Sequence, residues 1–313
     1  MTPRRILVYH PAEAEAYARL VKASKGAVRL VVCATPEEAA ASIAEAEILY
    51  AWKFPPELLA KAGKLRWIQA MGAGVERLLV HDLPPHVRIT RATGMFGRWM
   101  AEYTLGWCAW VTQRMEAFRE AQRRRRWLEL DPQPLHGKTL VIVGLGDIGS
   151  AVARTAASLG MRVLGVSRSG RKQPGVAAVY RPTAIKRALA EADFAVAVLP
   201  LTAETRGLIG EAQLSALKPT AWLLNIGRGA VIDEGALLRA LQDKRIAGAI
   251  LDVFETEPLP PDHPFWAMPN VVVTPHISGP SVPAEIAPVF NDNLRRYLAG
   301  RRLRHLANRS RGY

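Results

Sequence analysis

Short apolar runs recur along the chain, each too brief for a buried helix and each followed by a polar or amphipathic stretch. In the first third they are Arg5–Tyr9, Val28–Cys33, Glu47–Ala51, Leu65–Gln69 and Val87–Arg91. Runs of this kind predict strands buried on both faces of a parallel sheet. Ala12–Ala23 and Pro36–Ala46 lie between them with helical periodicity and predict the crossovers. The rhythm resumes with strands at Asp193–Leu199, Ala221–Ile226, Ile246–Leu251 and Val271–Val273, and helices at Glu211–Leu217 and Asp233–Gln242. Asp233 is an N-cap candidate for the second of these helices. Between the two blocks a long helical segment runs from about Arg98 to Trp127, closed by the loop Asp131-Pro132-Gln133-Pro134. A final helix, from about Ser281 to Leu298, is expected to return to the first block. Alternating strands and helices of this kind predict two parallel α/β lobes.

The region Lys138–Ser169 is the most specific. Leu140-Val141-Ile142-Val143 reads as a buried strand, Gly144-Leu145-Gly146-Asp147-Ile148-Gly149 as a turn, Ser150–Leu159 as a helix, and Arg162–Val166 as the next strand. This is the dinucleotide-binding arrangement, in which each glycine has a task. Gly144 allows the tight turn, Gly146 lets backbone approach a pyrophosphate, and Gly149 lets helix and strand pack closely. The fold class that follows is α/β, with two flavodoxin/Rossmann-like lobes. Residues 98–279 form a doubly wound NAD(P)-binding sheet, and 1–97 with 280–313 form a discontinuous substrate domain, with a cleft between the two.

An acidic residue after the second strand would bind the ribose 2′-hydroxyl of NAD. Here Ser167-Arg168-Ser169 stands there, followed by Arg171 and Lys172. A guanidinium and two hydroxyls suit a 2′-phosphate, so NADP(H) is the expected cofactor, with NAD as the alternative.

Composition adds limits. The chain of 313 residues is long enough for two domains. No apolar run approaches the roughly 20 residues of a membrane helix, and the N-terminal run is too short for a secretory signal. Cys33 and Cys108 lie in apolar segments without metal spacing and read as reduced core thiols of a cytoplasmic protein. The formal charge is +14, but its one dense run, Arg123–Arg126, accompanies no nucleic-acid-binding signature. The charge reads as surface character that steers small anions inward, and nucleic acid is not an expected partner.

Three stretches end strands at the carboxyl edge where such sheets bind ligands. They are Asn225-Ile226-Gly227-Arg228-Gly229, Leu251-Asp252-Val253-Phe254-Glu255-Thr256-Glu257-Pro258 and Thr274-Pro275-His276-Ile277-Ser278-Gly279. Singly, Arg228 fits a surface turn, Glu257 a solvated carboxylate and His276 a cap. Together, an Arg, a Glu and a His beside a nicotinamide form an apparatus for carbonyl reduction.

In these motifs, their order and their spacing, the chain resembles the D-2-hydroxyacid dehydrogenase family over nearly its whole length. Within it, the likeness is greatest to the NADP-dependent glyoxylate/hydroxypyruvate reductase branch, through total length, Ser167-Arg168 and the closing Arg311-Gly312-Tyr313. The resemblance implies an enzyme that reduces a small 2-keto acid to the D-2-hydroxy acid. Arg228 would bind the substrate carboxylate and polarise the keto oxygen, His276 would be the acid/base, and Glu257, rather than Glu255, its partner. Asp252 would hold the nicotinamide carboxamide. Gly144, Gly146, Asp147, Ile148, Gly149, Ser167, Arg168, Ser169, Ile226, Arg228, Asp252, His276 and Ser278 would line the cofactor. Within Met71-Gly72-Ala73-Gly74-Val75-Glu76, the N–H groups of Ala73, Gly74 and Val75 would grip the carboxylate, and Glu76 has no assigned role. The resemblance further implies a homodimer joined through the cofactor lobes, with the Arg98–Trp127 helix contributing. Pro280 departs from the family pattern after the His276 motif. Trp52, Met95 and Trp266 read as core, with the substrate pocket as the lesser reading. The competing readings are another family dehydrogenase using NADH, or an NAD(H)-sensing binding protein on the same fold.

Overall fold

The computed structural model describes residues 2–79 and 83–313. The chain divides into two compact units, Met1–Met95 with Ser281–Tyr313, and Phe96–Pro280.

In the first unit, β1 (Arg4–Tyr9), α1 (Ala14–Arg19), β2 (Val28–Cys33), α2 (Pro36–Ser42), β3 (Ile48–Ala51), β4 (Trp67–Ala70) and β5 (Arg88–Thr90) alternate along the chain. Their sheet has the order β2-β1-β3-β4-β5, all pairs parallel. β3 and β4 are buried at every position, which is why their sequence reads as unbroken apolar runs.

The second unit opens with α3 (Phe96–Thr112) and α4 (Met115–Arg123). The expected continuous helix Arg98–Trp127 is therefore two helices. Arg114 adopts a left-handed φ of 52° and breaks the ladder, and Trp127 lies beyond α4 at 90% exposure. Then follow β6 (Thr139–Val143), α5 (Asp147–Ser158), β7 (Arg162–Val166), β8 (Ala178–Tyr180), α6 (Ile185–Leu189), β9 (Phe194–Ala197), α7 (Glu211–Leu214), β10 (Trp222–Asn225), α8 (Glu234–Gln242), β11 (Gly248–Leu251) and β12 (Val271–Val273). The sequence pattern missed β8 and α6. β8 has three residues, none fully buried. Asp233 caps α8 by accepting from the Ala236 N–H at 2.9 Å.

The seven parallel strands take the order β12-β11-β10-β9-β6-β7-β8. The chain reverses its winding between β6 and β9, the switch point at which doubly wound sheets open a crevice. The last helix, α9 (Pro283–Leu298), belongs to the first unit, where Phe290 stacks on Tyr50 with ring centroids 4.0 Å apart. Among the described residues, no helix is long and apolar enough to cross a membrane.

Candidate active site

Strand register decides where chemistry gathers in the second unit. Val143, Ala197, Asn225, Leu251 and Val273 pair in sequence as the last residues of β6, β9, β10, β11 and β12. The residues that follow each therefore leave the sheet at one edge, and all the sequence motifs of this unit begin there.

At the first of these exits Gly144 has φ 116°, a conformation open to glycine, and a Cβ there would stand 2.5 Å from the Val198 carbonyl oxygen. A Cβ on Gly149 would overlap the Gly144 carbonyl, so the first turn of α5 packs directly on the loop. Gly146 differs, because nothing lies within 4 Å of its added Cβ. It is the N-cap of α5 and offers no side-chain cap to the first-turn N–H groups. An exposed, uncapped helix start with open space in front of it fits the pyrophosphate of a dinucleotide. Asp147 is exposed and Ile148 half-buried beside it.

After β7, the Ser167 N–H donates to the Tyr180 carbonyl at 3.0 Å. The Ser167 and Ser169 hydroxyls lie 3.4 Å apart, and Ser169 Oγ accepts from the Arg171 N–H at 3.3 Å. Arg168 Nη1 lies 3.4 Å from Glu204 Oε2, both side chains largely exposed. This turn carries a guanidinium and two hydroxyls and no carboxylate of its own.

The turn bearing Arg228 is braced by Asn225, a residue the sequence reading left without a role. Asn225 Oδ1 accepts from the Gly227 N–H at 3.2 Å, and Nδ2 donates to the Arg228 carbonyl at 3.0 Å. Ile226, between them, is buried. Arg228 Nη1 donates to the Gly227 carbonyl at 2.7 Å. Gly229 touches the Phe254–Glu255 backbone so closely that a Cβ would overlap the Phe254 carbonyl carbon. That close approach, which only glycine permits, sets Arg228 beside the loop carrying Glu257.

Glu257 accepts from the Phe254 N–H at 3.1 Å through Oε1 and pairs with His276 Nδ1 at 2.8 Å through Oε2. Burial pushes its carboxyl up. The hydrogen bond and charge of His276, the Phe254 amide and the Arg228 guanidinium outweigh that and hold it below its ordinary value. An ionised Glu257 accepts only, so Nδ1 of His276 carries the hydrogen and Nε2 is the atom left to exchange a proton. Glu255 is instead bound elsewhere, its N–H donating to Glu234 Oε1 at 2.6 Å.

His276 itself has a left-handed φ of 56°. The turn is held from below by Asp252, which is completely buried. Asp252 Oδ1 accepts from Thr274 Oγ1 at 2.6 Å and from the Ile277 N–H at 2.9 Å, while Oδ2 accepts from the Ser278 N–H at 2.9 Å. The expectation that Asp252 meets a nicotinamide carboxamide thus finds no exposed surface, because both oxygens are turned to the 274–278 segment. Ser278 is likewise buried, and Ile277 between it and His276 is 54% exposed. Thr274 stands in its sequence motif without a role of its own, and Tyr103, behind it at 2.6 Å, is not singled out there. Only the place of Thr274, two residues before His276 at a strand end, could have signalled it.

In the first unit, β4 ends at Ala70 and the chain turns through Met71–Glu76. Among the described residues, the N–H groups of Ala73, Gly74 and Val75 donate no hydrogen bond within the chain. The Ala92 N–H ties the Gly72 carbonyl at 3.0 Å, and the Trp52 ring covers Gly72 where a Cβ would be. Trp52, Met95 and Trp266 do not belong to the buried core. The first two are half-buried and Trp266 is 54% exposed, its indole N–H bonded to the Pro260 carbonyl at 2.9 Å.

A glycine turn at a parallel-sheet switch point, with an imidazole hydrogen-bonded to a carboxylate at another strand end of the same edge, defines a dinucleotide-dependent oxidoreductase. The family model described as D-isomer specific 2-hydroxyacid dehydrogenase, NAD binding domain, matches residues 106–278, and the chain belongs to that family of NAD(P)-dependent enzymes. It is 36% identical over 282 residues to a glyoxylate reductase of Aeropyrum pernix, covering 85% of this chain and 84% of that protein. A crystal structure of a D-isomer specific 2-hydroxyacid dehydrogenase family protein from Aeromonas salmonicida superposes with a TM-score of 0.90 at 39% identity, over 99% of this chain and 100% of that one. The NADPH-dependent glyoxylate/hydroxypyruvate reductase of Sinorhizobium meliloti, solved with NADP and sulfate, gives a TM-score of 0.90 at 29% identity over 100% of both chains.

Proposed function

We propose that this protein reduces a small 2-keto acid of the glyoxylate/hydroxypyruvate type to the D-2-hydroxy acid, with NADPH favoured over NADH. The similarity to reductases with those substrates supports the substrate class. The Ser167-Arg168-Ser169 turn, basic where an NAD site carries a carboxylate, supports the cofactor preference. The single observation that carries the chemistry is Glu257, which bonds His276 Nδ1 at 2.8 Å and lies within electrostatic reach of Arg228.

When bound, the dinucleotide supplies the hydride to the keto carbon. The residues of this chain do the rest. His276 Nε2 delivers the proton to the keto oxygen, so that hydride and proton together convert C=O to CH–OH. Glu257 fixes the ring by holding Nδ1. Arg228 binds the carboxylate and stabilises the charge developing on the oxygen. The N–H groups of Ala73, Gly74 and Val75 are our further carboxylate donors. Gly144, Gly146, Asp147, Ile148 and Gly149 would hold the pyrophosphate.

The reading also takes the protein as a cytoplasmic homodimer. Its reduced Cys33 and Cys108 fit the compartment, and exposed Met115, Phe118 and Trp127 on and beyond α4 fit a subunit contact.

The test is turnover of glyoxylate and hydroxypyruvate by purified Arg228→Ala and His276→Ala. Each should lose at least about 10²-fold in kcat, the scale of removing one transition-state donor, while still binding NADPH. Wild-type turnover in either variant would refute the assignment.

A further inference from the structure

His276 must point its ring in one direction while its backbone sits in a conformation that β-carbon sterics disfavour, and such a conformation persists only when its surroundings over-determine it. One buried carboxylate, Asp252, takes three hydrogen bonds from the segment 274–278. Its own carbonyl accepts the His276 N–H at 2.8 Å. This cluster is anchored from one side by α3. Phe96, Met100 and Tyr103 are spaced as one helical face. The first two stand against Gly279, where an added Cβ would lie 3.1 Å from Met100 Sδ and 3.5 Å from Phe96 Cδ1. The third, Tyr103, reaches Thr274 Oγ1 at 2.6 Å.

Thr274 is thus the joint of the chain Tyr103–Thr274–Asp252. Its hydroxyl has one hydrogen, which Asp252 can only accept, so the Tyr103 hydroxyl donates to Thr274 Oγ1. The proton order is fixed along the whole chain, and each member holds the next in a single orientation.

We infer that Tyr103 and Thr274 are positioning residues for His276, acting through Asp252 and touching neither substrate nor cofactor. The inference rests on the assignment of His276 as the proton donor. Removing the Thr274 hydroxyl leaves Asp252 with one hydrogen bond fewer and takes away the hydrogen bond by which α3 holds the turn. The left-handed residue then loses part of what holds it. A misplacement of about 1 Å at a reacting group can cost on the order of 100-fold in rate.

The test compares Thr274→Val, Thr274→Ser and Tyr103→Phe by steady-state kinetics and NADPH titration. Thr274→Val should lower kcat about 10- to 100-fold with the NADPH Kd unchanged, Thr274→Ser should restore it, and Tyr103→Phe should fall between. In a His276→Gln background, Thr274→Val should cost nothing further, because there is no imidazole left to place. Unchanged kcat in both Thr274→Val and Tyr103→Phe would overturn the inference. So would a loss that Thr274→Ser fails to rescue, or one that persists undiminished in the His276→Gln background. Wild-type turnover by His276→Gln alone would instead overturn the assignment of His276, whatever the other variants do.

Discussion

On the function proposed above, the turn after β7 would set the choice of dinucleotide through one side chain, Arg168. Arg168 is exposed and its carboxylate neighbour, Glu204, is itself largely solvated, so a 2′-phosphate would displace a weak surface pair. A charge-assisted contact of this kind contributes about 1.5–3 kcal/mol. Arg168→Ala should therefore reduce the ratio of kcat/KM for NADPH over NADH by about 10- to 100-fold, at roughly 1.4 kcal/mol for each tenfold step. Paired kinetics with the two cofactors measure it, and an unmoved ratio would end the phosphate-clamp reading. Arg228, Glu257 and His276 were legible because each sits beside glycine or proline at a strand end, where a short motif can be read locally. Asn225, Thr274 and Tyr103 were not. Tyr103 and Thr274 are 171 residues apart, and no local pattern signals a hydrogen bond made by folding. Asp252 stands out in its motif, but its buried bonds to 274–278 cannot be read there.

Strands buried on both faces were the most legible elements. β3, β4, β6, β9 and β11 are buried at every position, and their apolar runs mark them. β8, three residues long and half-buried throughout, was missed. The break between α3 and α4 escaped for a different reason. Arg114 takes the left-handed conformation without the glycine or proline that usually announces it. α2 shows the opposite case, with its start written in full. Thr35 accepts from the Glu38 N–H at 3.3 Å, Glu38 Oε2 accepts from the Thr35 N–H at 3.3 Å, and Pro36 occupies the first helical position. Thr35→Ala should remove about 1 kcal/mol of stability, and the melting temperature should fall by a few degrees with kcat untouched. Calorimetry alongside a turnover assay checks both, and an unchanged melting temperature would show the box to be idle.

Across the whole molecule charge is the variable that acidification moves furthest. The chain carries 42 lysines and arginines against 28 acidic residues, and protonating the latter leaves the former and up to seven histidines unopposed. Specific losses add to this repulsion. Burial raises the carboxyls of Glu257 and Asp193. The His276 pair in the first case, and Lys218 with the Thr139 amide in the second, outweigh it and hold both below their ordinary values of 4.5 and 3.8. Groups depressed in the folded state contribute stability that is complete above those values and is lost as pH falls through the folded ones. His10 acts earlier in the same direction. Burial lowers it from its ordinary 6.5 against the pull of Glu13, and its Nδ1 accepts the Ala12 and Glu13 N–H groups at 3.1 and 2.9 Å. An unfolded chain protonates that ring first, so the His10 contribution declines as pH drops below 6.5. The melting temperature should therefore decline gently below about pH 6.5 and steeply below about pH 4.5, where carboxylates titrate. Salt separates the two causes. At about 1 M the screening length is near 3 Å, which suppresses long-range repulsion but screens short, partly buried pairs much less. Added sodium chloride at pH 4 should recover part of the lost melting temperature and leave the remainder to the carboxylates and His10. A melting temperature constant from pH 8 to pH 3 would contradict both causes, and full recovery in salt would remove the paired groups from the account.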